Sequence, residues 1–191
     1  MKRLFLLCFL VCFAAPAAAQ DTLYMRNQEG PMACSFTDED FDAARGALAT
    51  TYRLTTTYGD SNISWADDLV AGETRNGTWD CTLNLDVGSG AGGPNRVTVR
   101  FERVNSSCAV QGLIFEEETG TLTKGEITNY ECTGSSASIT FAAGEGVMVT
   151  IWQTNGTRLI DLNYNGADTN DSEVVIPPIP SPSAKRVFLV Q

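Results

Sequence analysis

The sequence predicts a mostly-β domain, an antiparallel β-sandwich or barrel-like fold with one N-terminal helix and two disulfides. Three observations carry this expectation. Short runs that alternate apolar and polar residues recur from about residue 50 to residue 164, punctuated by Asn, Gly and Pro. Regularly spaced strands of this kind build sandwiches and barrels. A single segment, near residues 37–49, carries a helical period. Four cysteines, Cys34, Cys81, Cys108 and Cys132, follow an export signal, and an even number in an exported chain reads as disulfides.

The chain opens on Met1-Lys2-Arg3, an apolar run from Leu4 to Phe13, and Ala17-x-Ala19. This is the pattern of a cleavable secretory signal over residues 1–19, with residues 20–191 left as a single β-rich domain beginning at Gln20. The apolar run falls short of the about 20 residues that span a bilayer. Leu7 and Val11 precede Cys8 and Cys12, where a lipidated cysteine needs a small neighbour. The expected location is therefore periplasmic or secreted, with no membrane span after cleavage.

In the expected helix, Ser35 or Thr37 caps the start, and Thr37-x-x-Asp40 approximates a capping box. Asp38, Glu39, Asp40 and Asp42 suit the positive end of the helix dipole. Phe41, Ala44, Ala47 and Leu48 form the apolar stripe.

Strands follow. Thr and Tyr are dense over residues 50–58. Residues 78–87 and 96–104 are expected to pair across the glycine-rich stretch 88–95. That stretch lacks the Gly-Lys-Ser/Thr of a phosphate loop and reads as a hairpin loop. Further strands are expected at 109–116, 126–133 and 137–142. Asn76-Gly77 and Asn155-Gly156 suit two-residue hairpin turns, since both residue types tolerate positive φ. Around the second turn, residues 147–164 predict a hairpin that sets Ile151 opposite Ile160 and Val149 opposite Leu162. The proline-rich stretch 174–184 should run extended into a final strand over 186–190. A hairpin of 109–116 with 126–132 favours Cys108–Cys132 and Cys34–Cys81, one of three connectivities.

The chain carries 13 Lys plus Arg, 23 Asp plus Glu and no His, for a formal charge of −10. Cleavage removes Lys2 and Arg3 and takes this to about −12. So acidic a surface excludes nucleic acid as a partner and favours a cationic one. Without His, serine and cysteine triads that depend on it are excluded, as are His-containing zinc sites. The cysteine spacing also fails the paired pattern of a Cys₄ metal site.

Carboxylates are then the remaining acid–base groups. Glu116-Glu117-Glu118 reads as a solvated loop, and no pair is singled out as catalytic. Asp161-x-Asn163-x-Asn165-Gly166-x-Asp168 matches the first half of a calcium loop, but its twelfth position is Ser172 and no helix precedes it. Calcium through Asp161, Asn163, Asn165 and Asp168 is kept as an alternative to a plain polar turn; no other cofactor is implied. Met148, Trp152 and Leu159 fall on the side of the expected hairpin opposite Ile151, an apolar binding patch if that face is open. Trp65 and Trp79 sit near turns. Asn62, Asn76, Asn105, Asn155 and Asn170 begin Asn-x-Ser/Thr triplets, glycan acceptors only in a eukaryotic secretory route.

Tyr130-x-Cys132-x-Gly134, followed by Ile139-x-Phe141, resembles the opening of the small periplasmic lysozyme-inhibitor barrels. The resemblance implies an acidic inhibitor of a cationic hydrolase. It covers a short stretch, and of that family's Ser-rich, Lys-containing loops only Ser181–Lys185 is vaguely similar. The function expected from the sequence is a non-enzymatic, exported β domain binding a protein or a cell-envelope component. The alternatives are an inhibitor of a cationic hydrolase such as lysozyme, a carboxylate-based glycan hydrolase, and a calcium-stabilised secreted module.

Overall fold

Alternation along a strand buries one face, and two such faces packed together make a core. The computed structural model, which describes residues 21–26, 40–42, 50–54, 63–68, 73–89, 93–135, 138–155, 159–164 and 172–179, shows this arrangement. Its strands are β1 (Asp21–Arg26), β2 (Asp40–Asp42), β3 (Thr50–Arg53), β4 (Ile63–Asp68), β5 (Thr74–Arg75), β6 (Thr78–Val87) and β7 (Arg96–Asn105). They continue with β8 (Val110–Glu118), β9 (Ile127–Ser135), β10 (Ile139–Thr140), β11 (Glu145–Asn155), β12 (Ile160–Tyr164) and β13 (Glu173–Ile176). Among the described residues there is no helix.

Two antiparallel sheets form a sandwich. The larger has seven strands: β6 is paired along one edge with β9 and along the other with β12 and β13 in tandem, which lead on to β3 and to β1 and β2. The smaller runs β4-β11-β7-β8, and β5 pairs with β10 in a separate two-stranded ribbon. Where β12 and β13 meet along β6, the ladder is bridged by Ser172. Its hydroxyl accepts from the Asn84 N–H at 2.9 Å and donates to the Asn163 carbonyl at 2.6 Å.

The core lies between the sheets. Trp79, Leu83, Leu85, Ile160 and Leu162 from the large sheet meet Val97, Phe101, Val149 and Ile151 from the small one, all fully buried. Each contributes about 1.5–3 kcal/mol by leaving water. The Trp79 ring stands edge-on to Phe101, with centroids 6.2 Å apart. Trp79 is thus a core residue, not an exposed aromatic near a turn.

The positions of the longer strands were legible, but their pairing was not. The expected hairpin over 147–164 does not form: β11 pairs with β4 and β7, whereas β12 pairs with β3 and β6. Ile151 and Ile160 are both wholly buried, yet they reach the core from opposite sheets. The same correction holds for residues 78–87 with 96–104 and for 109–116 with 126–132. β6 and β9 belong to the large sheet, β7 and β8 to the small one. Alternation fixes which face is buried and is silent on which strand lies alongside. Nor is Asn76-Gly77 a hairpin turn, since β5 pairs with β10; it packs instead beneath Pro177, and Asn76 N–H reaches the Pro178 carbonyl at 3.4 Å.

The disulfide pairing changes with the sheets. Cys81 is bonded to Cys132, directly opposite it on β6 and β9 with Cα atoms 5.0 Å apart. The expected pairs Cys34–Cys81 and Cys108–Cys132 are therefore overturned, because Cys108 ends the turn after β7 in the other sheet. Cys108 is disulfide-bonded as well, and Cys34 lies outside the described residues. The Cys81–Cys132 bridge has a sequence separation of 51 residues, which in the chain-entropy view contributes about 4 kcal/mol.

Of the expected helix, Asp40–Asp42 are described and are extended, paired with β1 through Phe41 and Met25; the rest lies outside the described residues. The signal segment 1–19 and the final strand 186–190 lie outside them too, and the proline-rich stretch is described as far as Ile179. No helix among the described residues is long and apolar enough to cross a membrane. The buried disulfide is compatible with a secreted protein.

Candidate functional site

The edge strands β8 and β9 belong to opposite sheets and meet along one side of the sandwich. Gly134 makes the approach possible: a Cβ there would stand 2.5 Å from the Phe115 ring. Phe115 is in turn stacked on Phe101, with centroids 4.5 Å apart. Glu117 bridges the seam. Its Oε1 accepts from the Tyr130 hydroxyl at 2.5 Å and its Oε2 from the Thr133 N–H at 3.0 Å. Burial pushes the Tyr130 phenol up to about 12, and the hydrogen bond and negative charge of Glu117 push the same way.

Beside Tyr130 the β8–β9 connection borders an open cleft of about 240 Å³, lined by Gly120, Thr121, Leu122, Thr123, Thr128 and Tyr130. The connection is pinned. Leu122 N–H donates to the Asn95 carbonyl and Thr119 N–H to the Val97 carbonyl, both at 2.9 Å. The Thr119 hydroxyl accepts from the Val97 N–H at 3.1 Å. Thr128 and Tyr130, two residues apart on β9, share a strand face. A second cavity of about 190 Å³ lies against Arg103, Leu113, Ile139 and Thr140. Its guanidinium is engaged by Glu145 at 3.4 Å and by the Thr140 carbonyl at 3.3 Å.

The outer face of the small sheet carries a lattice of ion pairs. Arg96 donates to Glu118 at 2.8 Å, and Arg100 pairs with Glu116 while lying 3.6 Å from Glu102 and 5.4 Å from the Trp152 ring centre. The Glu116–Glu118 run is therefore strand, not loop, and each of its carboxylates has a partner. Elsewhere Glu73 pairs with Arg75 in a buried contact.

The residues expected to form a binding patch are not brought together. Met148 and Trp152 sit buried on β11 at 1% and 7% exposure, while Leu159 precedes β12 and is 55% exposed. The outer face of this sheet is closed over Thr98, Glu102 and Thr150 as well. Two of the calcium candidates are engaged elsewhere. Asp161 accepts from Arg53 at 2.9 and 3.2 Å, and the Asn163 amide donates to Asn84 at 2.7 Å. Asn165 and Asp168 lie outside the described residues. Asn84 donates onward to Asn129 at 2.6 Å, so three asparagines form a row across β12, β6 and β9.

Apart from Tyr130, the cleft residues were not singled out from the sequence. The alternation Thr119-x-Thr121-x-Thr123 was its one local trace, and nothing local ties a loop to a tyrosine that follows it on another sheet.

No family model matches the chain, and no curated protein matches it. Solved structures do share its fold. A CocE/NonD family hydrolase from Staphylococcus aureus aligns with TM-score 0.64 at 12% identity, over 86% of this chain and 37% of that one. An aminopeptidase from a marine sediment archaeon, Thaumarchaeota archaeon, aligns at 0.61 and 10% identity, over 85% of this chain and 37% of its own. An α-amino acid ester hydrolase aligns at 0.57 and 8% identity, over 84% and 36%. The chain thus spans little more than a third of the length of these proteins.

Proposed function

We propose that this chain is an exported, non-catalytic β-sandwich module that binds a protein or a cell-envelope component. The observation that carries the reading is the engagement of seven carboxylates among the described residues. Glu73, Glu102, Glu116, Glu118, Glu145 and Asp161 each lie against an arginine, and Glu117 is held by Tyr130 and Thr133. A glycosidase needs two carboxyl groups facing each other across a groove, one of them kept protonated. A carboxylate held against a guanidinium is engaged within the fold and is not presented to a substrate across a groove. The signal-like N-terminus and the disulfide support export. The likeness to about a third of several larger hydrolases supports reading the chain as a domain of the kind that accompanies an enzyme.

The test is retention and turnover measured side by side. The mature protein should be held by purified cell-envelope material, or should capture a defined envelope protein, without releasing reducing ends from glycan. Sustained hydrolysis abolished by one carboxylate substitution would overturn the reading.

A further inference from the structure

We propose that the cleft between the 120–123 loop and β9 is a binding site for a single neutral sugar ring. The inference rests on reading the chain as a binding module and gives that module a site and a ligand class. Four features of the cleft converge.

The first is the chemistry of the lining. The lining combines three hydroxyl-bearing residues, Thr121, Thr123 and Thr128, with Leu122 and Tyr130, and no charged residue is among those that line the space. A pyranose has the matching character, with C–H faces that pack on an aromatic ring and hydroxyls around its edge that trade hydrogen bonds with other hydroxyls.

The second is size. At about 240 Å³ the cleft falls below the roughly 300–1,000 Å³ of sites for drug-sized ligands and suits one ring.

The third is preorganisation. The Tyr130 hydroxyl is tied to Glu117, which fixes the ring, and the loop is tied to β7 and Asn95 through Thr119 and Leu122. A wall already ordered before binding loses little entropy when the ligand arrives.

The fourth is charge. A protein of formal charge −10 repels an anion, and a cation would find no carboxylate among the lining residues. Neutral ligands are left. The second cavity lacks this character, since Arg103 with its own partners forms one wall.

The experiment titrates the mature protein with neutral trisaccharides of glucose, galactose and N-acetylglucosamine, read by amide chemical shifts. At least one should move the resonances of residues 120–123 and 128–130 together. Thr128→Val, which keeps the shape and removes the hydroxyl, should weaken that sugar at least tenfold. Thr123→Ala in the exposed loop should weaken it several-fold. Both variants should keep the wild-type amide spectrum elsewhere, which separates lost binding from lost folding. Salt should leave the affinity unchanged. If none of the three sugars shifts these residues, or if both variants bind as wild type, the site is wrong. Retention of the same two variants on envelope material distinguishes the two readings. Wild-type retention together with failure of the sugar titration discards the cleft and keeps the module, loss of retention by the two variants alone supports both, and absence of retention of the wild-type protein discards the module.

Discussion

Tyr130 shows how one side chain ties stability to solution conditions. Its phenol is pushed up to about 12 by burial and by Glu117, whereas the same group in the unfolded chain titrates near 10. Below pH 10 both states hold the proton and the contribution is whole. Between about pH 10 and pH 12 the unfolded chain ionises while the folded one does not, so stability falls as pH rises through that window. Tyr130→Phe cannot ionise and should lose that part of the slope. Tyr52, whose phenol is also raised by burial, continues to supply its own share. Denaturant midpoints of the two proteins at stepped alkaline pH check this, and equal slopes would refute it. Tyr130 was visible in the sequence as part of Tyr-x-Cys-x-Gly, but its partner was not. Glu117 lies in an acidic run that reads as solvent-facing until the neighbouring edge strand is placed beside it.

At the scale of the strands, the sequence revealed where the long alternating ones lie and which face they bury, and little about their neighbours. Residues 78–87 and the start at residue 96 were legible because Trp79, Cys81, Leu83, Leu85 and Val87 alternate without interruption. β1, β2, β4, β5 and β13 were missed as strands. β13 reads as the start of the proline-rich stretch because Pro177 and Pro178 follow it at once. The sandwich crosses between sheets at each connection expected to be a hairpin, so local turn chemistry misled pairing every time. Asn155 ends β11 and pairs with Arg96 across a bulge, while β12 lies in the other sheet. The β8–β9 seam offers the sharpest test of the observed packing. A methyl at Gly134 would meet a Phe115 ring that Phe101 holds from behind, so the ring has nowhere to yield. Gly134→Ala should cost about 1–3 kcal/mol through overpacking. Gly120→Ala, which meets nothing within 4 Å, should stay within about 0.5 kcal/mol. Denaturant unfolding of both variants decides it, and equal effects would mean that β8 and β9 do not approach as closely as described.

The whole molecule carries its charge unevenly. On the outer face of the small sheet, Arg96 and Arg100 offset two of the three carboxylates Glu102, Glu116 and Glu118. On the outer face of the large sheet, strand register places Asp80 and Asp86 on β6, Glu131 on β9, Asp161 on β12 and Glu173 on β13, with Arg53 as their cationic neighbour on β3. Among the described residues that face carries an excess of negative charge, which would steer a cationic protein toward it at long range. Lysozyme is the fitting probe, since an inhibitor of a cationic hydrolase is the most specific protein-binding version of the proposed function. Association should slow several-fold from low to high salt, because charges further apart than about 8 Å are screened at physiological ionic strength. Glu131→Lys, an exposed position, should slow association at low salt and leave dissociation nearly unchanged, the mark of steering. Glu118→Gln, on the small sheet, should do much less. Association that ignores salt would remove the steering argument, and absence of association with lysozyme would remove the inhibitor version while leaving the uncharged sugar cleft, whose affinity salt should not touch.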